Sequence, residues 1–108
     1  MATNSEPLRC RAPATGTLQF ETADVKVWRW DFPPGAETGW HRHGMYYVVV
    51  PQTTGPLLLE TAEGPVTAQL TTGVAYARPV GVEHNVVNPG SGEFVFVEIE
   101  LKASQAGA

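Results

Sequence analysis

The chain has 108 residues, of which 43% are hydrophobic and 17% are charged, and its formal net charge is −4. This length suits one small domain and excludes a second. Apolar runs are far shorter than the ~20 residues of a membrane-spanning helix, and the 7 lysines and arginines are scattered along an acidic chain. We therefore expect a small-molecule ligand, with neither nucleic acid nor membrane as a partner.

Cysteine usage and size add two further expectations. Cys10 is the single cysteine and the N-terminus lacks the basic-then-apolar pattern of an export signal, so we expect a cytoplasmic protein without disulfides. A chain of this size buries only about 65% of its unfolded surface, so dimerisation or a bound metal would help to stabilise its small core. We expect a homodimer.

Period-two alternation of apolar residues predicts strands along most of the chain. Residues 1–17 are polar and aperiodic, which predicts a flexible or partner-docked arm; residues 18–102 form the expected barrel, and 103–108 a flexible tail. We expect about eight strands, so that one of nine candidate segments is split or spurious. These segments are Leu18–Glu21, Val25–Phe32, Glu37–His43, Tyr46–Pro51, Leu57–Thr61, Pro65–Leu70, Ala75–Pro79, His84–Asn88 and Glu93–Leu101.

Turn residues separate these segments, and no stretch of ten or more residues between the turns shows a helical face. Many short antiparallel strands without helices predict an all-β barrel or jelly roll. Aromatic residues recur on single strand faces, and we expect them to lie in the core or at a dimer interface rather than around a substrate: Trp28, Trp30, Phe32, Phe94 and Phe96.

The chain has 3 histidines, and two of them form a His-x-His pair. His41 and His43 are two apart on a predicted strand, so both imidazoles face the same side, and Tyr47 continues that face. His84 would have to join them through the fold, which spacing alone does not show. A His-x-His pair by itself is more often explained by ordinary hydrogen-bonded histidines than by a metal.

The surroundings of the histidines carry a family resemblance. Gly35 to His43 has the form Gly-x5-His-x-His, and Gly73 to Asn88 has the form Gly-x5-Pro-x-Gly-x2-His-x3-Asn. Together these stretches resemble the two motifs of the cupin superfamily, the second without departure, over about residues 28–101. The resemblance implies a cupin double-stranded β-helix, a jelly-roll barrel with one divalent metal held by His41, His43 and His84.

The first motif departs from the usual cupin pattern in one respect, which narrows the resemblance to a subgroup of cupins. Tyr47 and Val48 stand where cupins usually carry a glutamate ligand, so the chain is similar to the three-histidine cupins, which include small β-diketone-cleaving dioxygenases. Three neutral imidazoles do not reduce the charge of a divalent metal, and they leave some of its coordination positions open. Such a site favours an anionic chelating substrate. The implied activity is an Fe(II) dioxygenase that uses dioxygen to cleave a carbon–carbon bond of a small enolisable dicarbonyl. Zn, Ni, Cu or Mn would also suit the imidazoles.

Four further side chains are candidates for the site. Tyr47 should face the cavity, either to donate its hydroxyl or simply to pack. Arg78 would bring a guanidinium near the metal if its strand face points inward, and is otherwise a surface residue. Glu98 is a candidate base or partner of Arg78, with a solvated strand face as the alternative. Glu37 could replace the missing carboxylate from its loop.

Two other function classes remain open. One is a non-catalytic, metal-containing binding module or sensor, and the other is a non-oxidative metalloenzyme such as an isomerase or hydrolase. Cys10 lies in the polar arm and is expected to be an incidental thiol.

Overall fold

A computed structural model describes residues 11–102, which form nine strands. Residues 1–10 and 103–108, with Cys10, lie outside the described residues. Each of the nine predicted segments overlaps one strand, so the expectation that one was split or spurious is wrong. The strands are β1 (Thr15–Glu21), β2 (Val25–Phe32), β3 (His41–Arg42), β4 (Tyr46–Pro51), β5 (Gly55–Thr61), β6 (Gly64–Leu70), β7 (Tyr76–Arg78), β8 (Glu83–Val87) and β9 (Phe94–Leu101).

The strands form two antiparallel sheets. One has the order β1-β2-β9-β4-β7, and the other has the order β3-β8-β5-β6. Sequential strands repeatedly fall in different sheets, which is the arrangement of a jelly roll and confirms the all-β prediction. No helix occurs among residues 11–102, and thus none that could cross a membrane.

Alternation along the strands builds a core between the two sheets. In β9, Phe94, Phe96 and Glu98 are buried, whereas the residues that alternate with them are partly exposed. The Phe96 ring lies 5.5 Å, centroid to centroid, from Phe32 of β2, and Leu57 of β5 closes the core from the opposite sheet. Burying one such side chain contributes about 1.5–3 kcal/mol.

The N-terminal boundary differs from the predicted one. β1 begins at Thr15, so the barrel starts before Leu18. Ahead of it, the Ala14 amide donates to the Glu37 carbonyl at 2.7 Å, and the Glu37 amide donates to the Ala12 carbonyl at 2.9 Å. The described end of the predicted arm is therefore hydrogen-bonded to the barrel.

The segment predicted as Glu37–His43 contains only the short strand β3. Pro33 and Pro34 open a turn in which Gly35 takes a positive φ of 77°, and Glu37 makes only isolated bridges, to Pro13 and Val87. Gly39, directly before Trp40 and His41, takes a positive φ of 89°, and regular pairing begins only at His41.

Candidate metal centre

The fold brings the three histidines together. His41 in β3 and His84 in β8 are register partners across an antiparallel pair. His43 follows β3, where its amide donates to the Val82 carbonyl and its carbonyl accepts from the Gly81 amide, both at 2.9 Å. Gly81 has a φ of 99°, a conformation in which glycine is favoured, so the turn before β8 both leads to His84 and holds His43.

The Nε2 atoms of the three imidazoles point toward each other. The His41 and His43 Nε2 atoms are 3.0 Å apart, and those of His43 and His84 are 3.1 Å apart. The His41 Nδ1 lies 2.8 Å from the Gly39 carbonyl, which can only accept, so Nδ1 carries the hydrogen and Nε2 presents a lone pair. Converging lone pairs in a partly buried site are suited to a cation.

Both buried imidazoles are kept neutral by their surroundings. Burial, followed by the neighbouring histidines, lowers the pKa of His43 to about 3. Burial and then His41 lower the pKa of His84 to about 4. Neutral imidazole is the form that binds a metal, so no proton has to be removed from these two residues near neutral pH.

The spacing of the nitrogens fits a metal ion. Two ligands at right angles on a metal, each about 2.1 Å away, lie about 3.0 Å apart. The observed separations of 3.0 and 3.1 Å match that value. The histidines present one compact face of donors and leave the opposite side to the cavity, so a metal there would keep positions for a substrate.

That cavity encloses about 380 Å³ on the inner side of the five-stranded sheet. Five sheet residues contribute polar groups near the histidines: Tyr47, Tyr76, Arg78, Glu98 and Glu100. Core side chains such as Val49, Leu57 and Phe96 form the apolar floor of the cavity.

Tyr47 points into this cavity, as predicted. Its ring stacks on His43 with 3.8 Å between centroids and an angle of 16°, and only 3% of the residue is exposed. Burial raises the pKa of Tyr47, so its hydroxyl stays protonated near neutral pH. Within residues 11–102 the hydroxyl has no hydrogen-bond partner, which leaves it available to a molecule in the cavity.

Glu98 also faces inward, so the alternative of a solvated strand face is wrong. Its carboxylate accepts a hydrogen bond from the Trp30 indole at 2.9 Å, and its Oε2 lies 3.5 Å from His43 Nδ1. The second distance is long for a hydrogen bond, so the contact orients His43 without binding it tightly. Burial, followed by the nearby Glu100, raises the pKa of Glu98 to about 7.

Arg78 lies opposite Tyr47 in the β4–β7 pair and lines the cavity with Tyr76. It is partly buried, and in the described part of the chain no carboxylate forms an ion pair with it. The predicted pairing with Glu98 is therefore not formed. A partly buried guanidinium without a carboxylate favours an anionic ligand.

Glu37 does not take the place of the missing carboxylate ligand. Its Oε1 accepts hydrogen bonds from Asn85 Nδ2 at 2.8 Å and from Arg11 Nη1 at 3.1 Å, and it does not join the group formed by the three histidines. The loop after Gly35 turns this side chain toward the outside of the four-stranded sheet.

Asn85 is a positioning residue that the sequence analysis missed. It is buried, and its Oδ1 accepts a hydrogen bond at 2.9 Å from the amide of Gly39, whose carbonyl holds His41. It also donates to Glu60 at 2.9 Å. The sequence feature that could have identified Asn85 is its position next to His84, which places it on the opposite face of β8.

The two tryptophans line the cavity, although Trp30 also packs against the core, as predicted. Trp28 and Trp30 line the cavity, and the Trp28 indole donates to Glu100 Oε1 at 2.8 Å. Alternation puts both on the inner face of β2, and the Trp30 ring lies 6.4 Å from the ring of Phe32, centroid to centroid. The other three aromatic residues of the prediction, Phe32, Phe94 and Phe96, do lie in the core.

A jelly-roll barrel with three converging histidines at one end is the arrangement of a cupin, and comparison with solved structures agrees. A crystal structure of a cupin domain from Bordetella pertussis Tohama I superposes with a TM-score of 0.85 at 68% identity, over 86% of this chain and 97% of that one. A Cupin 2 conserved barrel domain protein from Salinispora arenicola shares the fold, with a TM-score of 0.67 at 21% identity, over 96% of this chain and 92% of that one. The chain belongs to the cupin family.

A curated relative is similar over most of its length. The beta-alanine degradation protein BauB of Pseudomonas aeruginosa is 58% identical over 92 residues, which cover 85% of this chain and 97% of the relative. No family model matches the chain.

Proposed function

We propose that this cupin is a non-haem Fe(II) dioxygenase that cleaves a carbon–carbon bond of a small enolisable dicarbonyl anion. The observation that carries the proposal is the convergence of three imidazole Nε2 atoms, 3.0 and 3.1 Å apart, on a cavity that also holds Arg78 and the Tyr47 hydroxyl. Bound there, iron(II) would supply positive charge for a chelating enolate and redox chemistry with dioxygen.

The side chains around the histidines would bind and orient the substrate. Arg78 offers a charge-assisted hydrogen bond to its negative end. Tyr47 donates from its protonated hydroxyl to a substrate oxygen. Glu98 orients His43 through the contact at Nδ1. A role of Glu98 as the base remains a prediction. Rate would come from positioning and from neutralising the charge of the anion.

The name of the Pseudomonas relative supports a three-carbon member of this substrate class. β-Alanine itself does not enolise, but oxidative removal of its amine gives a 3-oxo acid. Such an acid carries a carbonyl and a carboxylate on either side of an acidic carbon. It can therefore chelate a metal as an enolate, and its carboxylate suits the unpaired Arg78.

Oxygen consumption by the iron-loaded protein tests the proposal. The panel contains 2,4-pentanedione, 3-oxopropanoate and other 3-oxo acids. Cleavage of 2,4-pentanedione by one dioxygen should give acetate and 2-oxopropanal, in which both oxygen atoms are accounted for. Iron-treated His84→Ala protein is the control for free iron. Uptake no faster than this control across the panel contradicts the proposal, and a ligand-dependent thermal shift without uptake indicates a binding module instead.

Substitutions at two residues test the substrate contacts. Arg78→Gln should raise KM for 3-oxo acids on the order of 10–100-fold, because a charge-assisted hydrogen bond is lost, whereas Arg78→Lys keeps the charge and should lose less. Tyr47→Phe keeps the stack on His43 and should mainly lower kcat. Unchanged kinetics in Arg78→Gln would show that the Arg78 guanidinium does not bind the substrate.

A further inference from the structure

A second cavity, of about 310 Å³, lies beside the one that contains the histidines. Three residues line both cavities and thus form the boundary between them: Leu59, Tyr76 and Arg78. The topology explains the second cavity, because β6 and β7 are the outermost strands of their sheets and, within residues 11–102, do not pair with each other. The barrel is therefore open along one side, and residues of both unpaired strands line the second cavity there.

The walls of the second cavity are mostly apolar. Ala68 of β6 pairs with the buried Leu57 of β5, so Ala68 and, two residues on, Leu70 face the interior. Among the described residues, no carboxylate lines this cavity, and Arg78 is the one charged residue that does. The apolar side chains of its walls are Leu59, Ala68, Leu70, Val74 and Ala75.

The loop between β6 and β7 forms the outer rim of the second cavity and is hydrogen-bonded to the barrel. The Gly73 amide donates to the Pro51 carbonyl at 2.9 Å, and the Thr72 amide donates to Thr54 Oγ1 at 2.9 Å. Val74 is 61% exposed, so an apolar side chain meets water at the rim. Preformed, mostly apolar cavities with few polar groups are typical of small-molecule sites.

We propose that the ligand of this cupin is a carboxylate with an apolar tail, whose charged end binds Arg78 and whose tail lies in the second cavity. The inference rests on the proposed function for the anionic end of the ligand and adds the tail. Arg78 lines both cavities and has no carboxylate partner in the described part of the chain, so a carboxylate bound to it lies at the boundary. A three-carbon acid would leave the second cavity empty, whereas a longer acid would fill it.

An apolar tail gains affinity because it leaves water. Each buried methylene raises the affinity about fourfold. A tail with an ammonium group would meet no carboxylate in the second cavity and would lose its hydration there. The gain with tail length should end where the cavity is full.

Calorimetric titration of the full-length chain with straight-chain alkanoates, from propanoate to decanoate, tests the tail. Every member carries the same carboxylate, so differences along the series report the tail alone. Alkanoates do not enolise and oxygen uptake is not measured, so the result is separate from the test of the proposed function. Octanoate should bind on the order of 100-fold more tightly than propanoate, and the affinity should then level off. Equal affinities along the series overturn the proposal. An affinity that rises without levelling off also overturns it, because it indicates adsorption to exposed apolar surface.

Two variants should fill the second cavity. Ala75→Leu adds volume at the rim, where Ala75 is exposed, so the fold should accept it. Ala68→Leu adds volume from β6. Each should reduce the ratio of the propanoate and octanoate dissociation constants by about tenfold.

Ala62→Leu is the matched control, because Ala62 lies in the exposed turn between β5 and β6 and lines neither cavity. It should keep the ratio of the wild type, and circular dichroism should show that all three variants are folded. A ratio that persists in both filling variants, or that falls equally in Ala62→Leu, overturns the proposal.

Discussion

At the scale of single residues, the centre depends on which nitrogen of each imidazole carries a hydrogen. The Gly39 carbonyl accepts from His41 Nδ1 and thereby leaves Nε2 free to bind a metal. Asn85 holds the amide of the same glycine, so a buried amide side chain positions His41 from outside the cavity. Orientation of this kind lets three imidazoles bind one ion without rearrangement.

Removing one imidazole should abolish stable metal binding. His84→Ala leaves two donors and loses the contact to His43 Nε2 at 3.1 Å. After metal loading and gel filtration, the wild type should keep about one ion per chain and the variant almost none. Metal content is measured by elemental analysis, with the exposed Thr67→Ala as control. One ion per chain in His84→Ala would refute the assignment of the site.

Glu98→Gln should weaken metal binding without removing it. The amide keeps the shape of the side chain and an oxygen that can accept from Trp30, but it then presents an NH2 group, which cannot accept a hydrogen bond, to His43 Nδ1. Outer contacts of this kind typically contribute 10–100-fold in affinity, and we expect a loss in about that range. Competition with a chelator measures it, and Glu63→Gln in an exposed turn serves as control. Equal affinities would show that Glu98 does not act through His43.

At the scale of elements, the pairing of β2 with β9 builds one wall of the cavity. Inward residues alternate along both strands, so Trp28 and Trp30 reach the two glutamates on the neighbouring strand. The edge strand β1 supports this wall, because Trp30 lies over Gly16. A Cβ at position 16 would come within 2.7 Å of the Trp30 ring.

Gly16→Ala should therefore destabilise the fold and disturb the wall. Overpacking of this kind costs about 1–3 kcal/mol, because the ring or the strand has to move. Gly92→Ala is a matched control, since a Cβ there meets nothing within 4 Å. Denaturant unfolding measures the difference between the two variants. Equal stability would mean that β1 can shift away from Trp30 at no cost.

At the scale of the whole molecule, the two ends of the barrel serve different purposes. Phenylalanines fill one end, whereas the other contains buried histidines, a buried carboxylate and a cavity of about 380 Å³. A small domain that leaves a cavity of this size at one end gives up packed core there. Bound metal would offset part of that loss, because its binding energy adds to the free energy of unfolding.

Metal should thus raise the melting temperature. A free metal concentration one hundred times the dissociation constant adds about 2.7 kcal/mol to the free energy of unfolding. Calorimetry of the metal-free and metal-loaded protein measures the shift, and a chelator should reverse it. His84→Ala should show no such shift. A shift that is as large in His84→Ala as in the wild type would mean that the metal binds elsewhere.

Most of the strands and the candidate ligands could be predicted from the sequence alone. Period-two alternation located a segment overlapping each of the nine strands, although about eight strands were expected. His41, His43 and Tyr47 could be assigned to one face from their spacing alone. The turn at Pro79 to Gly81 marked the approach to His84.

Which distant side chains meet depends on the pairing of strands in the folded chain. His84 reaches His41 through the register of β3 with β8, and Glu98 reaches Trp30 and His43 from the far end of the chain. Glu37 was expected near the metal but binds Asn85, because a loop of prolines and glycine sets its direction. Local periodicity specifies the face on which a side chain lies. Its partners depend on strand pairing between residues far apart in sequence, which the periodicity does not contain.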